Sequence, residues 1–341
     1  MTLSTALALF GAVVLLALAL HAWWKTRRQA PRQIQDTVPG AERVEPAMDN
    51  AAPDDLDAPP ALRPSMKRVP RLDALIDAIV PLALDAPVSG EHALQHLPPS
   101  RRAGTKPFYV EGLDAETGTW EPLAPGRRYG ELQAGVQMAN RGGALNEIEY
   151  SEFVQMVQAY AETTGASADI PDMLEVVARA RELDGLAAPL DAQLSITLRA
   201  NGVAWSVGFV QQVAGRLGLV PGAVAGRWVL PSSEEGAPPM LMLSVDAQAA
   251  LSEDPQAAVV RDCTLALDVP QTPAALEPFP AWHLLGKQLA DDLDATATDD
   301  QGHPITLHAF DAIGKEIDDL YRQLEKFDLA AGSPAARRLF S

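Results

Sequence analysis

A single cysteine and a shortage of basic side chains are the first features of this 341-residue sequence. One cysteine, Cys263, excludes an intramolecular disulfide bond and a zinc site built from several cysteines. The chain has 27 lysine and arginine residues against 45 aspartate and glutamate residues, and its formal net charge is −18. Because a nucleic-acid backbone is bound by clustered cations, this charge argues against nucleic acid as a partner.

The signatures of catalysis and of metal binding are also missing. The sequence has no phosphate-binding loop and no dinucleotide fingerprint, and residues 204–208 resemble a nucleophile elbow that lacks its first glycine. His92 and His96 have the i,i+4 spacing of a helical metal pair, but no third ligand accompanies them. Cys263 lies on the apolar side of a predicted strand, where a buried thiol acts as a small hydrophobe; the alternative is a reactive nucleophile. We therefore predict a protein without enzymatic activity, cofactor or metal.

An apolar run from Leu3 to Trp24 predicts a transmembrane helix. About 22 residues that each rise about 1.5 Å make a helix of about 33 Å, enough to cross a hydrocarbon core of about 30 Å. No lysine or arginine precedes the run, whereas Lys25 and Arg27 follow it. Positive charge after the run is typical of an anchor rather than of a cleaved signal peptide, although the triplet 17–19 leaves cleavage open. The positive-inside rule places the N-terminus outside and the rest of the chain in the cytoplasm, with the lipid bilayer as a partner.

Residues 25–69 are predicted to form a disordered linker. This stretch is rich in proline, alanine, aspartate and glutamine, shows no hydrophobic periodicity and has few large apolar residues. Such a composition does not bury a core. The last residues, 329–341, are small and polar and are likewise predicted to be a disordered tail. Between these segments, residues 70–328 carry the patterns of secondary structure.

The second part of the folded region, residues 191–328, shows the clearest pattern. Apolar residues alternate with polar or small ones in the segments 193–200 and 262–269, as they do in half-buried strands. The last helix, predicted over 309–327, has apolar residues at spacings of three and four. Such helices and strands pack as two layers, with helices on one side of an antiparallel sheet. The opposite face of that sheet is then open to a partner.

The first part, residues 70–190, repeats the same order of elements, β-α-β-β-β-α. It includes a predicted strand at Leu72–Leu84, which Pro81 would confine to a sheet edge or a bulge. Val154–Tyr160 is predicted as a strand, and His303–Leu307 in the second part as an extended segment. The predicted fold class is α+β: a split β-α-β antiparallel sheet with helices on one face, in two related units, preceded by one transmembrane helix and a disordered linker.

The order of elements over Gln193–Phe327 resembles the C-terminal domain of the ZipA family of bacterial cell-division proteins. The segments CTLALDVP (263–270) and ADDLDATATDDQ (290–301) carry the resemblance most specifically. An N-terminal anchor followed by a proline-rich linker also fits that family. The resemblance implies a domain that binds the C-terminal peptide of the tubulin-like protein FtsZ on its open sheet face. It also implies that the anchor ties FtsZ filaments to the bacterial inner membrane, with the N-terminus periplasmic and the C-terminal domain cytoplasmic.

The groove positions of the ZipA family can be carried over onto four predicted strands. The family lines this groove with larger apolar residues, so Gly226 and Ala266 are departures, as are the shorter linker and the added first unit. Trp228 is the largest apolar residue among these positions and is therefore the expected hot spot. The groove residues that the resemblance implies are Thr197, Arg199, Val224, Gly226, Trp228, Leu243, Val245, Ala247, Thr264, Ala266 and Asp268.

Three alternatives stay open beside this interpretation. The first is a membrane-tethered, ferredoxin-like module that senses a small molecule or acts as a scaffold. A closed pocket with converging polar groups would favour a metabolite, and a shallow apolar groove would favour a peptide. The second concerns Asp169–Leu174, which resembles the tail signature that ZipA-like domains bind, although a helix start capped by Asp169 is the simpler explanation. The third is self-association of the chain.

Overall fold

Two antiparallel sheets carry the architecture of this protein, one in each half of its folded region. We refer to residues 77–187 as the first half and to residues 193–326 as the second half; both belong to one compact unit, residues 66–341. The computed structural model describes residues 70–341 apart from Glu235, Glu253, Asp300, Thr306 and the side chains of residues 307–309.

The predicted membrane span, Leu3–Trp24, and the predicted linker, residues 25–69, lie outside the described residues. Among the helices that are described, none combines the length and the apolar character that crossing a membrane requires.

The first half begins with a long strand and ends with two packed helices. Its elements are β1 Asp77–Ser89, α1 Gly90–Gln95, β2 Arg102–Ala103, β3 Lys106–Asp114, β4 Trp120–Pro122, β5 Arg128–Gln137, β6 Ala139–Asn140, β7 Gly143–Ala144, α2 Glu147–Thr164, β8 Ala166–Ala168 and α3 Met173–Ala187.

The second half follows after a short 3-10 turn at Ala188–Leu190 and continues into a C-terminal helix. Its elements are β9 Gln193–Ala200, β10 Trp205–Ser206, α4 Val207–Arg216, β11 Val220–Pro221, β12 Arg227–Leu230, β13 Leu241–Ser244, α5 Ala247–Ala250, β14 Val259–Val260, β15 Asp262–Asp268, α6 Pro278–Leu293, β16 Ala295–Thr298, α7 Leu307–Lys326 and α8 Pro334–Leu339.

The two sheets have the same strand order. The first sheet runs β2-β3-β5-β1-β8, with β4 added beside β3. The second runs β12-β13-β15-β9-β16, with β11 added outside β12. The strand pairs within both sheets are antiparallel, which confirms the α+β class with antiparallel sheets and helices.

One face of the first sheet packs on helix α2. The register places Val80 of β1 opposite Ala134 of β5, and Phe108 of β3 opposite Val136 of β5, so these side chains share a face. Phe153 of α2 meets the ring of Phe108 edge-on, with 5.7 Å between ring centroids. This contact fixes which face of the first sheet becomes core.

One face of the second sheet packs on helix α6 in the same way. The register pairs Trp228 with Leu243, Leu243 with Leu265 and Leu265 with Ile196, and each of these side chains is at most 4% exposed. Trp282 of α6 donates a hydrogen bond from its indole nitrogen to the Leu265 carbonyl oxygen at 3.2 Å. The prediction that Trp228 and Leu243 line an exposed groove is therefore wrong.

Helix α2 replaces the strand that the sequence predicted at Val154–Tyr160. Asn146 and Glu149 form a reciprocal capping box at its start, which satisfies free backbone N–H groups. The buried residues Tyr150, Phe153 and Val157 recur every three or four positions, the helical period. The prediction was wrong because it started inside the helix and missed its cap.

Pro81 lies inside a central strand rather than at a sheet edge. Strand β1 pairs with β5 on one side and with β8 on the other. The Pro81 carbonyl accepts a hydrogen bond from the Asp169 N–H at 3.1 Å, one residue beyond the end of β8. The backbone nitrogen of Pro81 therefore faces the chain just beyond β8, where no strand hydrogen bond from it is needed. A central strand tolerates proline at such a position.

Two further predictions near the C-terminus need correction. The extended segment predicted at His303–Leu307 exists over residues 303–305, where a bridge joins Pro304 to Thr298 and the Ile305 N–H donates to the Ala297 carbonyl oxygen at 3.1 Å. The strand that it pairs with, β16 at Ala295–Thr298, was not predicted, and Leu307 already belongs to α7. Small residues in β16 conceal its alternation. The predicted disordered tail contains helix α8, in which Leu339 is 2% exposed; the following Phe340 is 1% exposed.

Because Trp228 is a core residue, we expect Trp228→Ala to lower the free energy of unfolding of a 66–341 fragment by about 3–5 kcal/mol. Urea unfolding followed by circular dichroism measures this change. Val224→Ala is the control, because Val224 is 51% exposed, and a surface truncation of this kind should stay within about 0.5 kcal/mol. Equal, small losses for both variants would contradict the assignment of Trp228 to the core.

Candidate functional site

The face of the second sheet that points away from α6 carries a continuous apolar row. The row consists of Val220, Val229, Met242 and Ala266, which the register places side by side on β11, β12, β13 and β15. Val220 is 44% exposed, and the other three are half-buried. Four strands spaced by about 4.8 Å give this row a length of about 14 Å. We call these four residues the apolar row.

A cavity of about 190 Å³ opens at one end of the apolar row. It has room for one large apolar side chain. Met242 and Ala266 form its floor on the sheet, and the segment 238–240 lines it from the loop that precedes β13. Polar groups from Gln193, Asp268 and Gln271 complete its lining.

A polar row runs parallel to the apolar row on the same face. The register aligns Arg227, Ser244, Thr264 and Thr197 across β12, β13, β15 and β9. Arg227 is exposed at one end of this row. Arg199, also exposed, lies two residues beyond Thr197 on the same face of β9, opposite Asp262. The face therefore combines a shallow apolar strip with two exposed guanidinium groups.

Asp268 lies at the margin of this face and is engaged by the first half of the protein. Arg141, in the turn between β6 and β7, donates to the Asp268 carboxylate at 2.7 Å and to the Asp191 carboxylate at 2.6 Å. Burial of the Arg141 guanidinium acts to lower its pKa, but hydrogen bonds to the two carboxylates outweigh it and raise the pKa. Arg141 therefore offsets part of the negative charge of Asp268, because its one guanidinium is shared with Asp191.

The groove positions that the sequence predicted are divided by the structure. Those on the open face are Thr197, Arg199, Thr264, Ala266 and Asp268. Those on the buried face are Trp228 and Leu243. Val224, Gly226 and Val245 lie in the turns that flank β12 and β13, and Ala247 is the first residue of α5.

Three apolar members of the open face were missed by the sequence prediction: Val220, Val229 and Met242. Val229 and Met242 are direct neighbours of the two misassigned residues, one position along the same strands. A one-residue shift exchanges the two faces of a strand. The signal that could have located them is the register with β15, because Ala266, which lies on the open face, pairs with Met242.

Other chemically notable residues do not assemble into a site. The rings of His92 and His96 lie with 4.5 Å between centroids, and the described residues contain no cluster of three or more metal-ligating side chains. In the segment Asp169–Leu174, Asp172 rather than Asp169 caps helix α3, accepting from the Leu174 N–H at 2.9 Å. The helix-start explanation of this segment is therefore confirmed, with a different capping residue.

No protein-family model matches the chain, and no curated protein matches it. The open face of the second sheet and the sequence resemblance are therefore the observations that bear on function.

Cys263, the only cysteine of the chain, is 1% exposed on the core face of β15. Burial raises the pKa of its thiol to about 12. At about pH 8 the thiol stays neutral and enclosed, and since the thiolate is the nucleophile, we expect native protein to resist alkylation. Mass spectrometry after iodoacetamide treatment tests this, and the same treatment in concentrated urea is the control that should give one adduct. Rapid native labelling would show that the thiol is reactive.

Proposed function

We propose that the open face of the second sheet binds a short peptide with acidic and apolar residues, the C-terminal tail of FtsZ, and that the chain tethers FtsZ filaments to the bacterial inner membrane. The observation that carries this proposal is the apolar row, with its end cavity and the two exposed arginines beside it. The sequence resemblance to the ZipA family supplies the identity of the peptide. The apolar run Leu3–Trp24 supplies the anchor and the predicted N-out topology.

The dimensions of the face suit an extended peptide. The apolar row is about 14 Å long, which about four residues of an extended chain span at about 3.3 Å each. Its end cavity accepts one large side chain as an anchor. Peptide-binding sheets obtain specificity from such pockets for individual side chains. A peptide that crosses the strands above Val229 and Met242 would cover the row and reach the cavity.

Charge around the row favours an acidic peptide. Arg227 and Arg199 are exposed on this face, and Arg141 offsets part of the charge of Asp268 at its margin. Arg199 lies opposite Asp262, whereas Arg227 lies opposite the uncharged Ser244. Since the chain as a whole carries a net charge of −18, Arg227 is the cation of this face best placed for an acidic peptide. Electrostatic complementarity of this kind mainly contributes specificity and association rate.

Affinity for a single peptide is expected to be modest. Full burial of an apolar side chain contributes about 1.5–3 kcal/mol, and ordering of the peptide subtracts from the sum over Val220, Val229 and Met242. An FtsZ filament, however, presents many tails to a membrane that carries many copies of this chain. Avidity then strengthens attachment without any new contact.

The size of the cavity disfavours the small-molecule alternative at this face. Sites for small organic ligands usually enclose about 300–1,000 Å³ and bury most of the ligand. The cavity beside Met242 measures about 190 Å³ and continues into an open strip. A peptide that places one side chain in the cavity and the rest on the strip uses both features.

We further infer that each half is a split β-α-β unit and that the halves arose by duplication. Their identical strand order supports this inference. In both, the first strand of the half lies between the fourth main strand and the last one, so the long helix crosses the same face. The first half then serves as an added scaffold beside the peptide-binding second half.

Met242→Glu is expected to weaken binding of an FtsZ C-terminal peptide at least tenfold, because it places a charge in the middle of the apolar row. Fluorescence anisotropy with a labelled peptide and the full chain in detergent measures the affinity. Leu284→Glu is the matched control, since Leu284 is 59% exposed on α6, away from this face. Circular dichroism confirms that both variants fold. Unchanged binding by Met242→Glu, or equal loss in the control, would move the site elsewhere.

A further inference from the structure

The corresponding face of the first sheet is not open, because the C-terminal end of the chain lies on it. Asp77 of β1 pairs with Gln137 of β5, and Tyr109 of β3 pairs with Gly135 of β5. These odd-numbered positions of β1, β3 and β5 share the face that points away from α2. We call Asp77, Tyr109 and Gln137 the first-sheet face.

Arg338 of helix α8 is the centre of the contact. Its guanidinium donates to the two carboxylate oxygens of Asp77 at 2.8 and 2.5 Å, and it lies over the ring of Tyr109 at 5.0 Å from the centroid. The side-chain amide of Gln137 donates to the Arg338 carbonyl oxygen at 2.8 Å. Arg338 is therefore recognised in three ways: by the carboxylate of Asp77, by the ring of Tyr109 and, at its backbone carbonyl, by the side-chain amide of Gln137.

Two bulky apolar residues follow this arginine and are buried with it. Leu339 is 2% exposed and Phe340 is 1% exposed. They border a cavity of about 340 Å³ that the β6–β7 turn and the end of α3 also line. The Phe340 carbonyl oxygen accepts a hydrogen bond from the side-chain amide of Gln271 at 2.6 Å. The segment therefore docks through the sequence arginine, leucine, phenylalanine.

The docked segment is a short helix whose apolar residues Ala335, Ala336, Leu339 and Phe340 are buried against the rest of the protein. Helix α8 has six residues, and a helix this short is not stable in water by itself. Asp328 and Gly332, both with positive φ, set it apart from α7 in the connection between the two helices. Its order therefore depends on the contacts that it makes with the first-sheet face and the neighbouring loops.

We propose that the first-sheet face is a second peptide-binding site, specific for a segment in which an arginine precedes two bulky apolar residues, and that the chain's own C-terminus occupies it in cis. This proposal does not depend on the FtsZ proposal. The two sheet faces then have opposite preferences. The first, with Asp77 and the buried Glu111, takes a basic peptide, and the second, with Arg199 and Arg227, takes an acidic one.

The cis segment should exclude competitors effectively. A tethered ligand on a short connection has an effective concentration in the millimolar range. An outside peptide with the same arginine–leucine–phenylalanine chemistry therefore gains access only when the cis segment is weakened.

The probe is a fluorescein-labelled peptide of residues 329–341, and the protein is the full chain in detergent. The double variant Arg338→Ala/Phe340→Ala should bind this peptide at least tenfold more tightly than the unmodified chain, because its own segment no longer competes. Arg322→Ala is the matched control, because the Arg322 guanidinium lies on the exposed side of α7. This variant should bind the peptide with the same affinity as the unmodified chain. A peptide that carries the Arg338→Ala change should not bind.

Failure of the folded double variant to bind the peptide would overturn the proposal, as would equal binding of the peptide without the arginine. If the double variant does not fold, hydrogen–deuterium exchange of the unmodified chain decides. The amides of residues 334–340 should exchange faster than those of β1 and β5, as expected for a segment that opens by itself. Exchange as slow as in β1 and β5 would show a permanent core element and no releasable ligand.

Discussion

Each sheet of this protein has one face covered by a helix. Which face is covered decides which side chains form the core and which remain available to a partner. Side chains alternate across a strand, so the choice of the covered face determines every residue that remains for a partner. In the second half, the hydrogen bond from Trp282 of α6 to the Leu265 carbonyl oxygen attaches the helix to one face of the sheet. Trp228 and Leu243 then become core, and Val229 and Met242 are left on the opposite side.

The two halves share a strand order but use their outer faces differently. In the first half, the buried carboxylates of Asp77 and Glu111 are engaged by segments from outside the sheet: Arg338 pairs with Asp77, and the Leu72 N–H donates to Glu111 at 3.2 Å. In the second half, the outer face keeps an apolar row beside exposed arginines. The same architecture therefore supports an intramolecular ligand on one sheet and, as we propose, an FtsZ tail on the other.

Ionic contacts hold the two halves in one body. Arg141 of the first half bridges Asp191, between the halves, and Asp268 at the end of β15. These three side chains are partly buried, so water screens them less than an exposed pair. Helix α8 is in turn attached to the second half through the pair of Arg337 with Glu234 at 2.8 Å. The Arg141 contact would help to keep the proposed peptide-binding face in place relative to the first half, which the predicted linker precedes.

The sequence by itself determined the elements whose signal is local. The alternation in β9 and β15 and the spacing of three and four in α7 were sufficient to predict these three elements. In the first half the order of elements was only partly predicted, because α2 was taken for a strand and β8 was missed. The sequence did not determine the outward face of β12 and β13, because Trp228 and Val229, like Met242 and Leu243, are adjacent and both apolar. Only packing against α6 separates them. Nor did it predict the ordered C-terminus, since Arg338 is held by Asp77, 261 positions away in the chain, and an unstable short helix becomes ordered only where such distant partners converge.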